Sequence, residues 1–447
     1  MEEGPAVVKK RSPVSDRPGN LIAERKGAVH HISVNPTNNI TIIGQRLVAA
    51  VKPATSLRYN LMWAYGGYLV LIPRRLGINE ALDAAVDALV TAYQSFASCK
   101  QVFIGSLTKY SRALNALSRC LDNPVTATTS ETLCAVSVML LVQHLIGPGG
   151  LKWTGHAEGA AKVLKARKSL APRDSFEQML LLSLRGPVLF EGLFNPHIDF
   201  TPQEWKELVE NDLDAQTPES EMLLNLSRVR DILFRAKNNP DGLAGLLILQ
   251  AEIRSLYAKT RKICDIFRVG LKEVEDPGEN GPPNPHGLPP AWIHAHIQRF
   301  YGLAVSIALY INYAAVALRT PDLDLIPDAT YLAMEMIDIA ENAMQYRPFG
   351  AGYVIIGLIA ASVAIDNPPL QDLIHSWIDD YRQDFHMPNL EAYTLVEAFA
   401  RLDPFEGQEM PDPWSHTEEH AVYDPLLLEE ELTETSRVWD VSSDLSI

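Results

Sequence analysis

Residues 132–147 read TLCAVSVMLLVQHLIG, and nearly every face of a helix wound from them is apolar. A helix of that kind has no side to give to water, so it belongs at the centre of a bundle, covered on all sides by other helices. The run starts with Thr128, Thr129, Ser130 and Glu131, the pattern of a capping box in which Thr128 accepts from a backbone amide and Glu131 reaches back. It ends at Gly147, Pro148, Gly149 and Gly150, a helix stop. Upstream, GINEALDAAVDALVTAYQSF opens on Asn79 as N-cap, and Leu82, Val86, Leu89, Val90 and Tyr93 recur at steps of three and four. The pair predicts an all-α fold, a large multi-helix bundle or array of helical hairpins.

The same periodicity extends outward. Helices are expected over about 110–121, closed by Asn123 and Pro124, then 153–167, 176–194 with an interruption at Gly186 and Pro187, 219–237 and 243–269. Residues 276–290, DPGENGPPNPHGLPP, hold six prolines and three glycines and read as an exposed connection. Five further helices are expected at about 291–318, 328–346, 351–364, 368–385 and 389–402. The organisation is therefore a polar, flexible leader (1–55) that reads as loop with a short strand, an N-terminal helical half (56–275), the connection (276–290), a C-terminal helical half (291–402) and a tail (403–447). No series of strands at regular spacing is visible.

The chain has 447 residues, 47% of them hydrophobic and 21% charged, which is ordinary for a globular protein. The net charge of −16 is concentrated in the tail. From Asp403 to Ile447 thirteen acidic residues face Arg437 alone, leaving about −4 for the other 402. Such a charge balance disfavours nucleic-acid binding through a general field. Leu426, Leu427, Leu428, Trp414 and Trp439 among the acids give the tail the composition of a disordered activation segment or of a solvated terminus with a short docking helix. Four scattered cysteines (99, 120, 134, 264) form no CxxC pair and indicate buried thiols in a reducing compartment. Tyr301 to Leu318 contains no charge over 18 residues, long enough to span a membrane, but Ser306, Asn312 and three tyrosines mark it as a buried core helix.

Catalytic chemistry is hard to find. There is no GxSxG, HExxH, P-loop or GxGxxG. His294 and His296 are two apart on a helix and point away from each other, so they do not form a metal pair, and His30–His31 has no carboxylate motif nearby. Asp380 and Asp384 share a helix face, as in the magnesium-binding aspartates of terpenoid synthases, but the spacing differs and the second metal motif is missing. Lys9, Lys10 and Arg11 make a short basic cluster, weak as a nuclear import signal. The expectation is a non-enzyme with no catalytic, cofactor-binding or metal-binding residue and no cofactor.

A resemblance gives a more specific reading. Leu71-Ile-Pro-Arg-Arg-Leu-Gly77 precedes Ala81-Leu-Asp-Ala-Ala-Val-Asp-Ala88, and Tyr110 opens a segment with Ala113, Leu114 and Leu117. Glu131, Thr132 and Leu133 start the central helix, and Trp153, His156, Gly159, Ala160 and Leu164 share a further one, with Pro202 and Trp205 closing the stretch. From Ala81 to about Leu208 this order resembles the fungal-specific transcription factor domain, the regulatory domain behind zinc-cluster modules. It departs at Gln143–His144, where a Tyr-Glu pair is usual, and at Arg167–Lys168, where Arg-Gly is usual. The zinc cluster itself needs six thiolates in about thirty residues, and the first 98 residues have no cysteine.

The resemblance implies a nuclear (or cytoplasmic) transcription regulator that works through protein partners: another transcription factor, a co-activator or a second copy of itself. A small-molecule effector is compatible with it, a membrane is not, and direct DNA recognition is in doubt. The motif residues are expected to be architectural, with His156 a hydrogen-bonded packing residue and Gly159 beside Ala160 allowing close helix approach. The alternatives are a helical small-molecule sensor or scaffold and, last, a terpenoid-synthase-like enzyme.

Overall fold

A computed structural model describes residues 38–385, apart from short segments at 53–55, 99–103, 147–154, 168–171, 196, 211–216, 239–241, 277–287 and 322–323. The described residues form an all-α protein without strands. Its helices are α1 (Asn39–Val51), α2 (Leu61–Tyr65), α3 (Glu80–Ala97), α4 (Ile104–Asp122), α5 (Pro124–Ala127), α6 (Ser130–Ile146), α7 (Gly155–Ala166) and α8 (Ser175–Phe194). They continue with α9 (Pro202–Glu210), α10 (Pro218–Lys237), α11 (Gly242–Glu275), α12 (Pro290–Ala317), α13 (Leu325–Ala343), α14 (Val354–Ala364) and α15 (Pro368–Gln383). The basic cluster at 9–11, His30–His31, the helix expected at 389–402 and the acidic tail lie outside the described residues.

Helix α6 is the hub of the first part. Fourteen of its residues are buried, including Thr132, Leu133, Ser137 and Gln143, and α3, α4, α7 and α8 pack around it. Downstream, α11 lies along α12, which is in turn covered by α13 and α14, with α15 closing over α14. Helix α12 is long and apolar enough to cross a membrane, but 72% of its most apolar window is buried inside the protein. Its greasiness is explained by neighbours on every side, as for α6. One continuous core runs from Ile43 to Phe385, so residues before and after the 277–287 segment share it.

Three local expectations are corrected. The leader contains a helix: Asn38 accepts from the Thr41 amide at 2.7 Å, and Ile43, Leu47 and Val51 recur every fourth residue to bury against α3. The periodicity is short and set among Asn and Thr, which hid it. The cap of α6 is Thr129, whose Oγ1 accepts from the Thr132 amide at 3.2 Å. Thr128 instead terminates α5, and Glu131 turns away to an arginine. Helix α8 runs unbroken through Gly186 and Pro187; a single proline removes one backbone hydrogen bond, and the burial of Leu184, Val188 and Leu189 on either side outweighs that loss. Several helices also extend past the expected ends, α11 by a further turn and a half to Glu275.

Gly66 ends α2 with φ at +113°, and a Cβ there would collide with the Ser183 side chain of α8. Gly357 of α14 is set equally tightly: a Cβ would meet Met336 Sδ of α13 and lie 2.5 Å from Ser306 Oγ of α12. Gly357→Ala is therefore expected to overpack a three-helix junction and destabilise the protein by about 1–3 kcal/mol, read as a lower urea midpoint with an unchanged helical circular dichroism spectrum.

Candidate functional site

The family-like segments meet in one polar network around the start of α6. Asn79 caps α3, its Oδ1 accepting from the Ala81 and Leu82 amides at 2.9 and 3.1 Å, and its Nδ2 donates to Thr132 Oγ1 at 3.0 Å. Arg75 donates to Glu131 at 2.9 Å and also pairs with Asp174, while its guanidinium lies 4.7 Å from the Phe176 ring centre. Asp174 in turn caps α8 by accepting from the Glu177 amide at 2.9 Å. So one arginine joins the segment before α3 to the first turns of α6 and α8. Burial works against its charge, but the hydrogen bonds it donates to Glu131 and Asp174 outweigh that and hold its pKa above the ordinary value.

Behind it lies a second, deeper pair. Arg167 and Glu177, with side chains 1% and 0% exposed, form an ion pair at 2.5 Å. Glu177 also accepts from Ser130 Oγ at 2.9 Å and from the Arg173 amide at 2.6 Å. Desolvation alone raises the Glu177 pKa, but Arg167 and these two donors together bring it below the usual carboxylate range. Arg167, the arginine of the Arg167–Lys168 pair, thus belongs to a structural contact, while Lys168, where the pair departs, lies outside the described residues.

Tyr110 and His156 touch directly, hydroxyl to Nε2 at 2.7 Å, which joins α4 to α7. Burial pushes the His156 pKa down to about 4 and that of Tyr110 up, so the pair is neutral. Ala160 and Leu164 are fully buried, as is Leu133. Gly159 differs from expectation: a Cβ there would sit 3.8 Å from Val136, an ordinary contact, so close approach does not require glycine. The close approach occurs at Gly192, where a Cβ would be 2.7 Å from Trp205. Trp153 lies outside the described residues.

Asp380 and Asp384 do share a face, and Arg347 takes both: its Nε donates to Asp384 at 2.7 Å, and Asp380 is paired with Nη1. That guanidinium occupies the position a bridging cation would need. Among the described residues no three His, Cys, Asp or Glu side chains cluster as metal ligands. Cys120, Cys134 and Cys264 are buried free thiols, and burial pushes Cys264 up to about 12.

One constellation escaped sequence reasoning. Arg299 of α12 stands beside Trp63, with His296 and Tyr353 near enough to act on its charge. Its Nη1 donates to the Trp63 carbonyl at 2.7 Å, and its guanidinium lies 6.0 Å from the Trp63 ring centre. No carboxylate among the described residues pairs with it, and desolvation holds its pKa below the ordinary guanidinium value. His296 is 6.0 Å from Trp63 and 4.8 Å from Phe300, centre to centre, and is pushed down to about 4 by burial and by Arg299. The only signal in the sequence was Arg299 flanking the apolar run 301–318, inside the helix expected at 291–318.

No protein-family model matches the chain, and neither characterised proteins nor solved structures give a match.

Two outcomes are expected at the motif network. Glu177→Ala strands a buried guanidinium and should cost about 3–5 kcal/mol, whereas Arg167→Met with Glu177→Met should recover much of it; urea unfolding of the two variants beside the unaltered protein measures this. Histidines 144, 156 and 296 bind protons near pH 4 in the folded protein and at about 6.5 when unfolded. The unfolded chain thus holds more protons between those values, and stability falls as pH falls through that window. Urea midpoints across it should drop, and His156→Gln should make the slope shallower.

Proposed function

We propose that the chain is a transcription regulator of the fungal-specific transcription factor type that acts through protein contacts rather than through a DNA reader of its own. One observation supports this most. The separate segments that carry the resemblance, up to about a hundred residues apart, hold one another: Arg75 with Glu131 and Asp174, Asn79 with Thr132, and Tyr110 with His156. Polar ties of this kind are what a fold preserves when its role is to present surfaces, since each pair fixes the angle between two helices instead of facing a substrate. The absence of cysteine before position 99 leaves no thiolates for a zinc cluster in that stretch. Partners would be another transcription factor, a co-activator reading the acidic tail, or a second copy.

A helical small-molecule sensor is the second reading. It is favoured by Arg299, whose guanidinium donates to the Trp63 carbonyl, lies 6.0 Å from that ring centre and faces no carboxylate among the described residues.

The test uses the full chain carrying a fluorescent tag in a filamentous fungus. Nuclear accumulation and recovery of a DNA-binding partner on purification are the expected results, with no sequence-dependent shift of duplex DNA by the isolated chain at physiological salt. Nuclear exclusion, or tight sequence-dependent DNA binding by the chain alone, would overturn the proposal.

A further inference from the structure

Helix α11 turns a two-part face outward. Leu243, Ala244, Leu247, Ile248 and Ala251 are all exposed, the three large side chains at 55–59%. Nowhere else among the described residues do three large apolar side chains lie exposed within six consecutive positions. From the next turn the same side becomes basic. Arg254, Lys259 and Lys262 are exposed, and none of them pairs with a carboxylate among the described residues. At about 100° per residue, these apolar and basic positions together fall within an arc of about 160°. Other charges of α11 are matched: Glu252 with Arg235, Arg261 with Asp328 and Asp265 with Arg268.

Apolar side chains scattered singly over a surface need no explanation, but neighbours on one face mark a place of contact. What fits this face must offer apolar groups first and negative charge next, in that order along α11. The chain contains such a sequence: Leu426, Leu427 and Leu428 are followed directly by Glu429, Glu430 and Glu431, with Glu434 beyond. We infer that residues 426–434 dock on the outer face of α11 and run in the same direction, leucines against Leu243, Leu247 and Ile248, glutamates towards Arg254, Lys259 and Lys262. The lengths agree. From Leu243 to Lys262 is about 28 Å at 1.5 Å per residue, and nine residues reach at most about 30 Å. Residues 386–425 join the segment to the end of α15 and can span on the order of 130 Å, so reach sets no limit. The tether also holds the segment at an effective concentration of about 1 mM, at which a contact too weak to join separate molecules suffices. A second copy of α11 answers only half of the face. It brings leucines, but its one acid on that side is Asp265, which is already paired with Arg268.

The docking rests on this surface and not on the transcriptional role. Nuclear exclusion would leave it intact, and its failure would leave the transcriptional proposal intact. The experiment is carbodiimide coupling of the full chain at low micromolar concentration and low salt, with the joined peptides identified by mass spectrometry. The reagent links a lysine amine to a carboxylate only where the two touch. Lys259 and Lys262 should couple to Glu429, Glu430, Glu431 or Glu434 about fivefold or more above the exposed Lys52, as expected of a tethered contact. When isotopically heavy and light chains are mixed, the coupled pairs should come from one chain. About 0.5 M salt should cut the yield about fivefold, because it screens exposed charges. Leu247→Ser with Ile248→Ser leaves both lysines in place and should cut the yield by about as much, through loss of apolar contact. No coupling, coupling of these glutamates mainly to Lys52 or to Lys237 just before α11, heavy–light pairs, or a yield unmoved by salt or by the double substitution would each overturn the assignment. The salt comparison on the unaltered protein decides the matter even if the variant fails to fold.

Discussion

Helix α6 leaves no face for water, and much of the first part of the molecule follows from covering it. With fourteen of its seventeen residues buried, each neighbour must bring an apolar stripe and must also satisfy the few polar groups that enter with it. Burial of large apolar side chains supplies most of the driving force, but it does not choose angles between helices. The polar ties at the N-terminal end of α6 do that. Thr132 is held by Asn79, Ser130 by Glu177 and Glu131 by Arg75, so three consecutive residues of one helix are each bonded to a different segment of the chain.

The two densest helices solve the same problem differently. Helix α12 buries Ser306 and Asn312 among its apolar residues, and both find partners: Ser306 donates to the Gly302 carbonyl at 2.6 Å, and Asn312 to Tyr257 and to the Leu325 carbonyl at 3.1 and 2.8 Å. Tyr257 is itself tied to Asp328, which pairs with Arg261 at 3.0 Å. Of the polar positions that argued against a membrane span, Asn312 pins α12 to α11 and α13, while Ser306 bonds back within its own helix. Arg299, nearer the other end, donates instead to the Trp63 carbonyl.

The architecture was legible because its signals are local and repeated. Leu82, Val86, Leu89 and Val90 show their helical step in the sequence, and Asn79 caps the helix that the step predicts. What stayed hidden was set by partners distant in sequence. Thr128 and Thr129 are equivalent as caps until α5 claims the first of them. Pro187 reads as a break until the buried leucines around it are seen to hold α8 straight. The asparagine- and threonine-rich stretch around α1 reads as loop until α3 is there to receive Ile43 and Leu47. The surroundings of Arg299 are assembled from residues near 63, 299 and 353, and no window of sequence contains them together.

The short segment around α2 reaches across the whole chain for its partners. Trp63 receives the Arg299 guanidinium from 236 positions later, and Arg58 donates at 2.8 Å to the carbonyl of Arg347, 289 positions later. During synthesis at about 10 residues per second, those partners emerge roughly half a minute after the segment itself. Until then Trp63 and Tyr59 have nothing to lie against on that side. Nascent chains of this protein must pass through a long interval with aromatic surface uncovered, and the cell's chaperones are the natural company for it.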